Sequence, residues 1–251
     1  MTPSEEFYAA LQTAYDHFNA DLFGCCLPPV LFTIQRQHGM MGYFSPDRWA
    51  SSKGKNCHEI AINPIYVGRA TLIELMQTLV HEMAHCWQHC HGKPGRMSYH
   101  NKEWSDKMVS VGLMPSTTGM PGGKRVGQHM NDYPIREGKF IQACVSLLKK
   151  KKFTLPWVDR FSTSRGQPDS SLIDEHGVIS EALSGLESGL ANQLTINLTD
   201  LFGGDLFISH DTKASKKVKV KYSCSECGVN VWGKSDLSLR CDDCDNTMDE
   251  Y

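Results

Sequence analysis

Apolar residues recur at helical spacing in two long stretches, and a helix-capping sequence precedes each of them. The first stretch follows Thr2–Glu5, a capping box with proline at the first helical position, and predicts a helix that ends before Gly24. The second follows Thr71–Glu74, another capping box. Its wide apolar face predicts a buried helix that runs to about His89, because glycine and proline residues follow.

Shorter patterned stretches surround these helices. β-Branched and aromatic content predicts strands at Val30–Gln35, Met41–Phe44 and His58–Asn63. Helical spacing returns from Asn101 to about Val111, with Asn101 as the N-cap, and from Phe140 to Leu148. Helices in series with a few short strands indicate an α+β fold.

Two other stretches lack such patterns. Residues 112–137 carry many glycines and prolines, which predicts an ordered or semi-ordered loop. Residues 161 to about 195 are rich in Ser, Gly, Asp and Glu and predict a linker, with one weak helix near Ile179–Leu190.

Candidate chemistry is concentrated in the second helix, which contains the pattern HExxH as His81, Glu82 and His85. Residues four apart on a helix lie on one face, so the two imidazoles can share one Zn²⁺. Glu82 is then placed to take a proton from water bound beside it. The alternative is an ordinary helix with two surface histidines, and the capping and apolar pattern around the motif favours the metal site.

A protein zinc site needs a third ligand, and three histidines are candidates. His89 continues the helical row but lies about 12 Å along the axis from His81, too far for one metal. His91 has metzincin spacing, yet Gln88 stands where that pattern has a helix-breaking glycine. His100 follows a Gly/Pro-rich reversal that can bring it back over the helix, so His100 is the predicted ligand. Cys57 and His58 are interpreted as strand residues.

Four cysteines near the C-terminus form a second pattern, CxxC, thirteen residues, CxxC. They are Cys224, Cys227, Cys241 and Cys244. Four thiolates on two tight turns suit a closed structural Zn²⁺ site, and alternating segments between them predict a three-stranded zinc ribbon. Disulfides and a redox pair are the alternatives. The expected cofactors are thus two zinc ions, one catalytic and one structural.

Composition and charge limit the function classes. The 251 residues are 40% hydrophobic and 22% charged, with a net charge of −2, as in ordinary globular proteins. No global basic field draws the chain onto nucleic acid, so DNA binding must be local. Neither a signal peptide nor a membrane-spanning run is recognised, which predicts a cytoplasmic protein with reduced or metal-bound cysteines, nucleoid-associated if bacterial.

The HExxH motif, the step to His100 and the aromatic Trp104 together resemble the SprT/Spartan metalloproteases. Short segments upstream of the motif also resemble that family, among them Gly42-Tyr43-Phe44 and Ile60-Ala61-Ile62-Asn63-Pro64. The likeness covers roughly residues 5–115. It implies a zincin-like fold and a protease that acts on proteins bound or crosslinked to DNA, in DNA repair. Spartan-like proteins also carry a small zinc module after the protease core, although about a hundred residues separate the two parts here.

The resemblance and the patterns predict four parts. They are a metalloprotease core over 1–115, an extension with a loop and short helix over 116–160, a flexible linker over 161–212 and a zinc ribbon over 213–251.

The expected partners are a protein substrate, which the resemblance places on DNA, and DNA itself, single-stranded in preference. Lysine-rich segments at 149–152 and 213–221, with Trp232 and Lys234 in the ribbon, are the candidate contacts. Acidic residues at the end of the chain, from Asp242 to Glu250, keep a protein-binding ribbon as an alternative.

The expected mechanism is peptide hydrolysis, with zinc held by three histidines and Glu82 moving the proton. Tyr43, Tyr99 and His129 are equal candidates for a second oxyanion donor. Two other functions stay open at this point: a DNA- or protein-binding module with an idle hydrolase site, and a zinc hydrolase of another bond.

Overall fold

The structure, a computed structural model, divides the chain into two compact units, Met1–Ser209 and His210–Tyr251. The residues that it describes are 1–37, 39–68, 70–96, 99–151, 153–162, 177–203 and 219–250. Mixed helices and small sheets build the first unit, and the described part of the second unit contains small sheets, so the predicted α+β class is confirmed.

The helices and strands of the first unit follow in chain order. They are α1 (Pro3–Phe23), β1 (Val30–Ile34), β2 (Gly42–Ala50), β3 (Asn56–Ile62), α2 (Pro64–Val67), α3 (Leu72–His91), α4 (Lys102–Val111), β4 (Leu113–Ser116), β5 (Asn131–Pro134), α5 (Lys139–Lys151), α6 (Val178–Ala182), α7 (Ser188–Thr195) and α8 (Leu198–Leu201).

Capping residues fix the ends of the two long helices as predicted. Thr2 and Glu5 form a reciprocal capping box at the start of α1, and Gly24 ends the helix in the left-handed conformation at φ 64°. Thr71 and Glu74 do the same at the start of α3. Asn101 caps α4 through its side chain, which accepts the N–H of Trp104.

β1, β3 and β2 form one three-stranded sheet in that spatial order. β1 runs parallel to β3, and β2 runs antiparallel to β3 with a register irregularity between Ser45 and Trp49. Ile60 and Ile62 of β3 join the main hydrophobic core, which also contains the apolar face of α3. The helix and the edge strand β2 are thereby held side by side.

The stretch 112–137 differs from the predicted loop, because β4 and β5 pair within it as an antiparallel ladder. Each strand has only four residues, and β4 contains Pro115 and β5 contains Pro134. Because proline is rare within strands, the sequence pattern predicted a loop here. The boundary predicted at residue 115 therefore falls inside β4, and α5 beyond it packs on α1 in the same unit.

The linker predicted over 161–212 also differs from the structure within 177–203. There α6, α7 and α8 place Ile179, Leu183, Leu194 and Leu198 in the main core. The backbone N–H of Leu198 bonds to the carbonyl of Ala70, next to the start of α3. The weak helix predicted near Ile179–Leu190 overlaps α6 and the start of α7, but these helices have only four to eight residues, too short for a clear periodic pattern. The remaining parts of that prediction, 163–176 and 204–212, lie outside the described residues.

The second unit is a small β structure. Its strands are β6 (Val220–Ser223), β7 (Asn230–Gly233), β8 (Arg240–Cys241), β9 (Asn246–Thr247) and β10 (Asp249–Glu250). β6 lies between β10 and β7, and β8 pairs with β9. Tyr222, Cys224, Cys241 and Met248 form its buried core. Throughout the described part of the chain, none of the helices has the length and apolar character needed to cross a bilayer.

Candidate metalloprotease site

His81, His85 and His100 lie together, with one potential ligand atom from each within 4.8 Å of the others. The helical spacing in α3 places the first two on one face. The chain reversal after α3 brings His100 back over them, and the Nε2 atoms of His85 and His100 are 3.1 Å apart. The backbone of His100 is fixed by reciprocal hydrogen bonds with Gly127.

The outer nitrogens of two of these imidazoles have hydrogen-bond acceptors. His81 Nδ1 lies 2.8 Å from Asp132 Oδ2, and His100 Nδ1 lies 3.3 Å from the carbonyl of Gly127. We assign the proton to Nδ1 in both, which leaves each Nε2 lone pair free for a metal. This is the tautomer that a zinc ligand needs, and the residues present fit a zinc ion.

Burial favours the unprotonated form of two of the three histidines. Burial first, and then the neighbouring histidines, lower the pKa of His85 well below its ordinary value. Burial and His81 lower the pKa of His100 to about 4. For His81 burial acts in the same direction, but the hydrogen bond to Asp132 and the charge of Glu82 outweigh it and raise the pKa. The imidazoles of His85 and His100 are therefore neutral and ready to coordinate near neutral pH.

Asp132 is a site residue that sequence reasoning missed. Its side chain is 4% exposed, and its backbone carbonyl accepts a hydrogen bond from Gln77 of α3 at 2.6 Å. Carboxylate–histidine–metal arrangements of this kind orient the ligand and raise its basicity. In the sequence Asp132 stands among turn formers, and only the pairing of β4 with β5 brings it to His81.

Trp104 of α4 forms the floor of the site. Its ring centroid lies 4.4 Å from that of His100, 4.8 Å from that of His81 and 5.2 Å from that of His85. The side chain is completely buried. The aromatic residue after the third histidine therefore packs against all three imidazoles and restricts their rotation.

Glu82 is buried at 6% exposure and lies between the site and β2. Burial raises the pKa of its carboxyl group, while His81 and the backbone N–H of Phe44 lower it. Gly42 permits the close approach of β2, because a Cβ there would lie 2.8 Å from the carbonyl oxygen of Ala61 and 3.6 Å from Glu82 Cγ. A carboxylate held in this way with a raised pKa suits proton transfer near neutral pH.

The other candidate histidines lie elsewhere. His91 Nε2 is 3.0 Å from the carbonyl of Cys26, and His89 lies near Asp47 and His58. Cys57, read as a strand residue, lies in β3 and contacts the carbonyl of Pro29.

The three candidate oxyanion donors are placed differently. Tyr43 interacts with Glu59, and its pKa is raised by burial and then by that carboxylate. Tyr43 precedes Phe44 in β2, so its side chain leaves the opposite face of the sheet. His129 is exposed, and its charge contributes to lowering the pKa of His100. Arg96 lies over the ring of Tyr99.

In the second unit, Cys224, Cys227, Cys241 and Cys244 lie with their sulfur atoms within 4.8 Å of one another. All ten cysteines of the chain are free thiols. Backbone N–H groups of Cys227 and Glu226 lower the pKa of Cys224 to about 7, which favours its thiolate. The Cys227 side chain raises the pKa of Cys244 to about 12, so the four thiols do not ionise alike in the absence of metal. Four converging sulfurs on two tight turns fit a structural zinc ion.

The first unit thus contains a cluster of three histidines, two of them on α3, with an adjacent glutamate in an α+β fold, the kind of site found in zinc hydrolases. Residues 11–122, less than half of the chain, match the family model described as the SprT-like family. That result agrees with the resemblance drawn from the motifs.

Comparison with curated proteins gives one further likeness. Over 47 residues the chain is 49% identical to a protein from Salmonella typhimurium described as "Uncharacterized protein in mucB 3'region". The match covers 19% of this chain and 64% of that protein, so the chain spans less than two thirds of the relative's length. No solved structure matches significantly.

Proposed function

We propose that the protein is a zinc-dependent metalloendopeptidase whose natural substrates are proteins bound or crosslinked to DNA. The observation that carries the peptidase assignment is the convergence of three imidazoles beside the buried carboxylate of Glu82. His81, His85 and His100 would hold the metal. When bound there, Zn²⁺ supplies Lewis-acid chemistry that makes water nucleophilic near pH 7 and polarises a carbonyl group.

Glu82 moves the proton in this mechanism. As a carboxylate it accepts a proton from the attacking water, and as a carboxylic acid it returns that proton to the leaving amine. The N–H of Phe44 orients the carboxylate, and burial keeps its pKa above the ordinary glutamate value, so both protonation states are accessible. Asp132 holds His81 in the required tautomer and acts as a positioning residue.

β2 supplies the surface on which we expect a substrate to lie. It is an edge strand of the sheet order β1-β3-β2 and packs beside α3. In the described part of the chain its outer edge pairs with no other strand. An extended peptide can add to such an edge through backbone hydrogen bonds, which would place a peptide bond beside Glu82 with little side-chain specificity. A protease of diverse DNA-bound proteins needs this tolerance.

The second unit is the proposed DNA contact. Trp232 is 62% exposed at the end of β7, and Lys234 follows it on the surface. Lys219 precedes β6 and Lys221 lies within it, whereas Lys213, Lys216 and Lys217 lie outside the described residues. An exposed aromatic ring with neighbouring lysines suits stacking on unpaired bases with contacts to phosphates. Exposed Val229, Val231 and Leu237 on the same unit favour protein binding as the second candidate.

The deciding experiment is cleavage of a DNA-bound protein by the full chain, with and without single-stranded DNA, and with Glu82→Gln as the comparison. We expect the wild type to cut, the variant to be inactive, and single-stranded DNA to increase the rate. Products mapped by mass spectrometry identify the bond that is broken.

The other outcomes separate the parts of the proposal. Cleavage that is independent of DNA would keep the peptidase and remove the DNA contact. Equal cleavage by the Glu82→Gln variant would overturn the mechanism. If every DNA-bound substrate stays intact while both metal sites are filled, the protein is a binding module with an idle site.

A further inference from the structure

A second group of ligand-type side chains lies outside the three-histidine site. Asp47 of β2, His58 of β3 and His89 of α3 place one potential ligand atom each within 4.8 Å of the others. Asp47 Oδ1 is 3.5 Å from His58 Nδ1, and Asp47 Oδ2 is 3.9 Å from His89 Nε2. One carboxylate thus faces two imidazoles contributed by different elements.

The irregular part of β2 is what places Asp47 there. The register of β2 against β3 shifts between Ser45 and Trp49, and Asp47 within this interval has a left-handed backbone at φ 47°. Aspartate is among the few residues that adopt this conformation at modest cost. A bulge of this kind changes the direction of a side chain. Here it brings the partly exposed carboxylate of Asp47 close to His58 and His89.

An aromatic wall restricts the two imidazoles. The ring of Phe44 lies 5.5 Å from that of His58 and 5.9 Å from that of His89, measured between centroids. The two imidazoles are 5.0 Å apart and nearly perpendicular, at 82°. The side chain of His58 is only 14% exposed, so this imidazole is packed within the structure.

The two nitrogens of His58 face different groups. Nδ1 is directed at Asp47, from whose backbone N–H it accepts a hydrogen bond at 2.9 Å. Nε2 lies 3.7 Å from Cys90 Sγ. A metal at Nδ1 would replace the hydrogen bond from Asp47, and Nε2–H would donate to the sulfur, as the outer nitrogen of a metal ligand usually donates to a neighbour.

We propose that Asp47, His58 and His89 form a further site for a divalent transition metal of the zinc class, separate from the three-histidine site. Two imidazoles and a carboxylate are a donor set for such ions and a poor one for Ca²⁺ or Mg²⁺, which prefer oxygen ligands. Water completes the coordination, since the carboxylate side of the cluster is open to solvent.

The position of this site gives it a structural role. His89 is four residues beyond His85, hence about 6 Å further along the axis of α3. A metal bound by Asp47 and His89 joins the edge strand to that helix beside the cleft. It would hold the bulge of β2 in place and stiffen the edge along which a substrate is expected to lie.

The test is metal stoichiometry of the full chain after complete demetallation and reconstitution with Zn²⁺. The zinc content of the desalted protein is measured by inductively coupled plasma mass spectrometry. We expect three equivalents of zinc per chain in the wild type, and two in His89→Gln and in Asp47→Asn. The matched control is His91→Gln, which removes a histidine two residues away that lies near the carbonyl of Cys26 and should retain three.

Further substitutions test this site independently of the three-histidine site on which the proposed function rests. The double substitution His81→Ala and His85→Ala should lower the count from three to two, and adding His89→Gln should lower it to one. Two equivalents in the wild type, or three in both His89→Gln and Asp47→Asn, would overturn the site. Asp47 has a side chain 54% exposed in an irregular strand segment, so the Asp47→Asn protein is expected to fold and to report even if His89→Gln does not.

Discussion

The three-histidine cluster and the four-cysteine cluster are supported in opposite ways. His81 and His85 project from a long helix whose apolar residues Leu79, Val80 and Met83 are buried in a large core. In the second unit Cys224 and Cys241 are themselves half of the small buried core. From this difference we expect the first unit to fold without metal, whereas the second unit should need a bound metal to complete its fold.

Complete removal of metal is the strongest test of this contrast. We expect chelation to abolish the fold of residues 219–250, because a unit of this size buries too little apolar surface to be stable alone. The helix α3 should remain folded. Hydrogen exchange followed by mass spectrometry checks both regions in one experiment, and loss of protection in α3 together with the ribbon would contradict the comparison.

The next test concerns the identity of the third histidine. We expect His100→Ala to lose the metal of the three-histidine site while the four-cysteine site stays filled, because only two of the three imidazoles would remain. The matched substitution His91→Ala should leave both sites filled. Metal content per chain measures the difference, and the reverse result would make the site metzincin-like.

Loss of Glu82 is expected to have a smaller effect than loss of metal, because it should lower only the rate of peptide cleavage. Glu82→Gln preserves the size of the side chain and removes the base, so we expect metal binding to be retained and the rate of peptide cleavage to fall by about 10²- to 10⁴-fold. Glu181→Gln, at an exposed position of α6, is the control. A rate within a few-fold of wild type would remove Glu82 from the mechanism.

Asp132 provides a finer test, because it acts on the metal through His81. We expect Asp132→Asn to weaken metal binding by about 10- to 100-fold, as loss of an outer-shell carboxylate does elsewhere, without loss of fold. Competition with a chromophoric chelator measures the affinity. Asp106→Asn, in an exposed pair with Lys102, should change nothing. Equal affinities in the two variants would show that Asp132 has no part in orienting His81.

The smallest expected effect is on the stability of the helix itself. Thr71→Ala removes the cap of α3 and should cost about 1 kcal/mol. For a unit of this size such a loss lowers the unfolding temperature by about 2 to 4 °C. Thr13→Ala, in which the lost hydroxyl bonds only within α1, is the control. The ribbon should be unaffected by either change, as hydrogen exchange can show.

Sequence patterns predicted the local parts of the protein well. Both capping boxes, the helix after Asn101 and the end of α1 at Gly24 follow from residues within one or two turns of each other. Helical spacing then dictates that His81 and His85 share a face. These features need no knowledge of distant chain segments.

The parts that the sequence did not predict depend on long-range pairing. Asp132 reaches His81 across 51 positions of the sequence through the β4–β5 ladder. Asp47 meets His58 and His89 because of a bulge, which periodicity does not reveal. The short helices within 177–203 are stabilised by the core that they cover, since each alone is below the length at which a helix is stable.

The burial of Trp104 against three imidazoles has an optical consequence. Trp49, Trp157 and Trp232 are each more than 40% exposed and Trp87 is partly buried, whereas Trp104 is completely shielded from water. Its emission should therefore form the blue edge of the protein's fluorescence. A paramagnetic ion such as Co²⁺ bound by the histidines would lie within a few ångströms of this indole and should quench that edge first. The protein thus carries an intrinsic fluorophore that is expected to report occupancy of the three-histidine site.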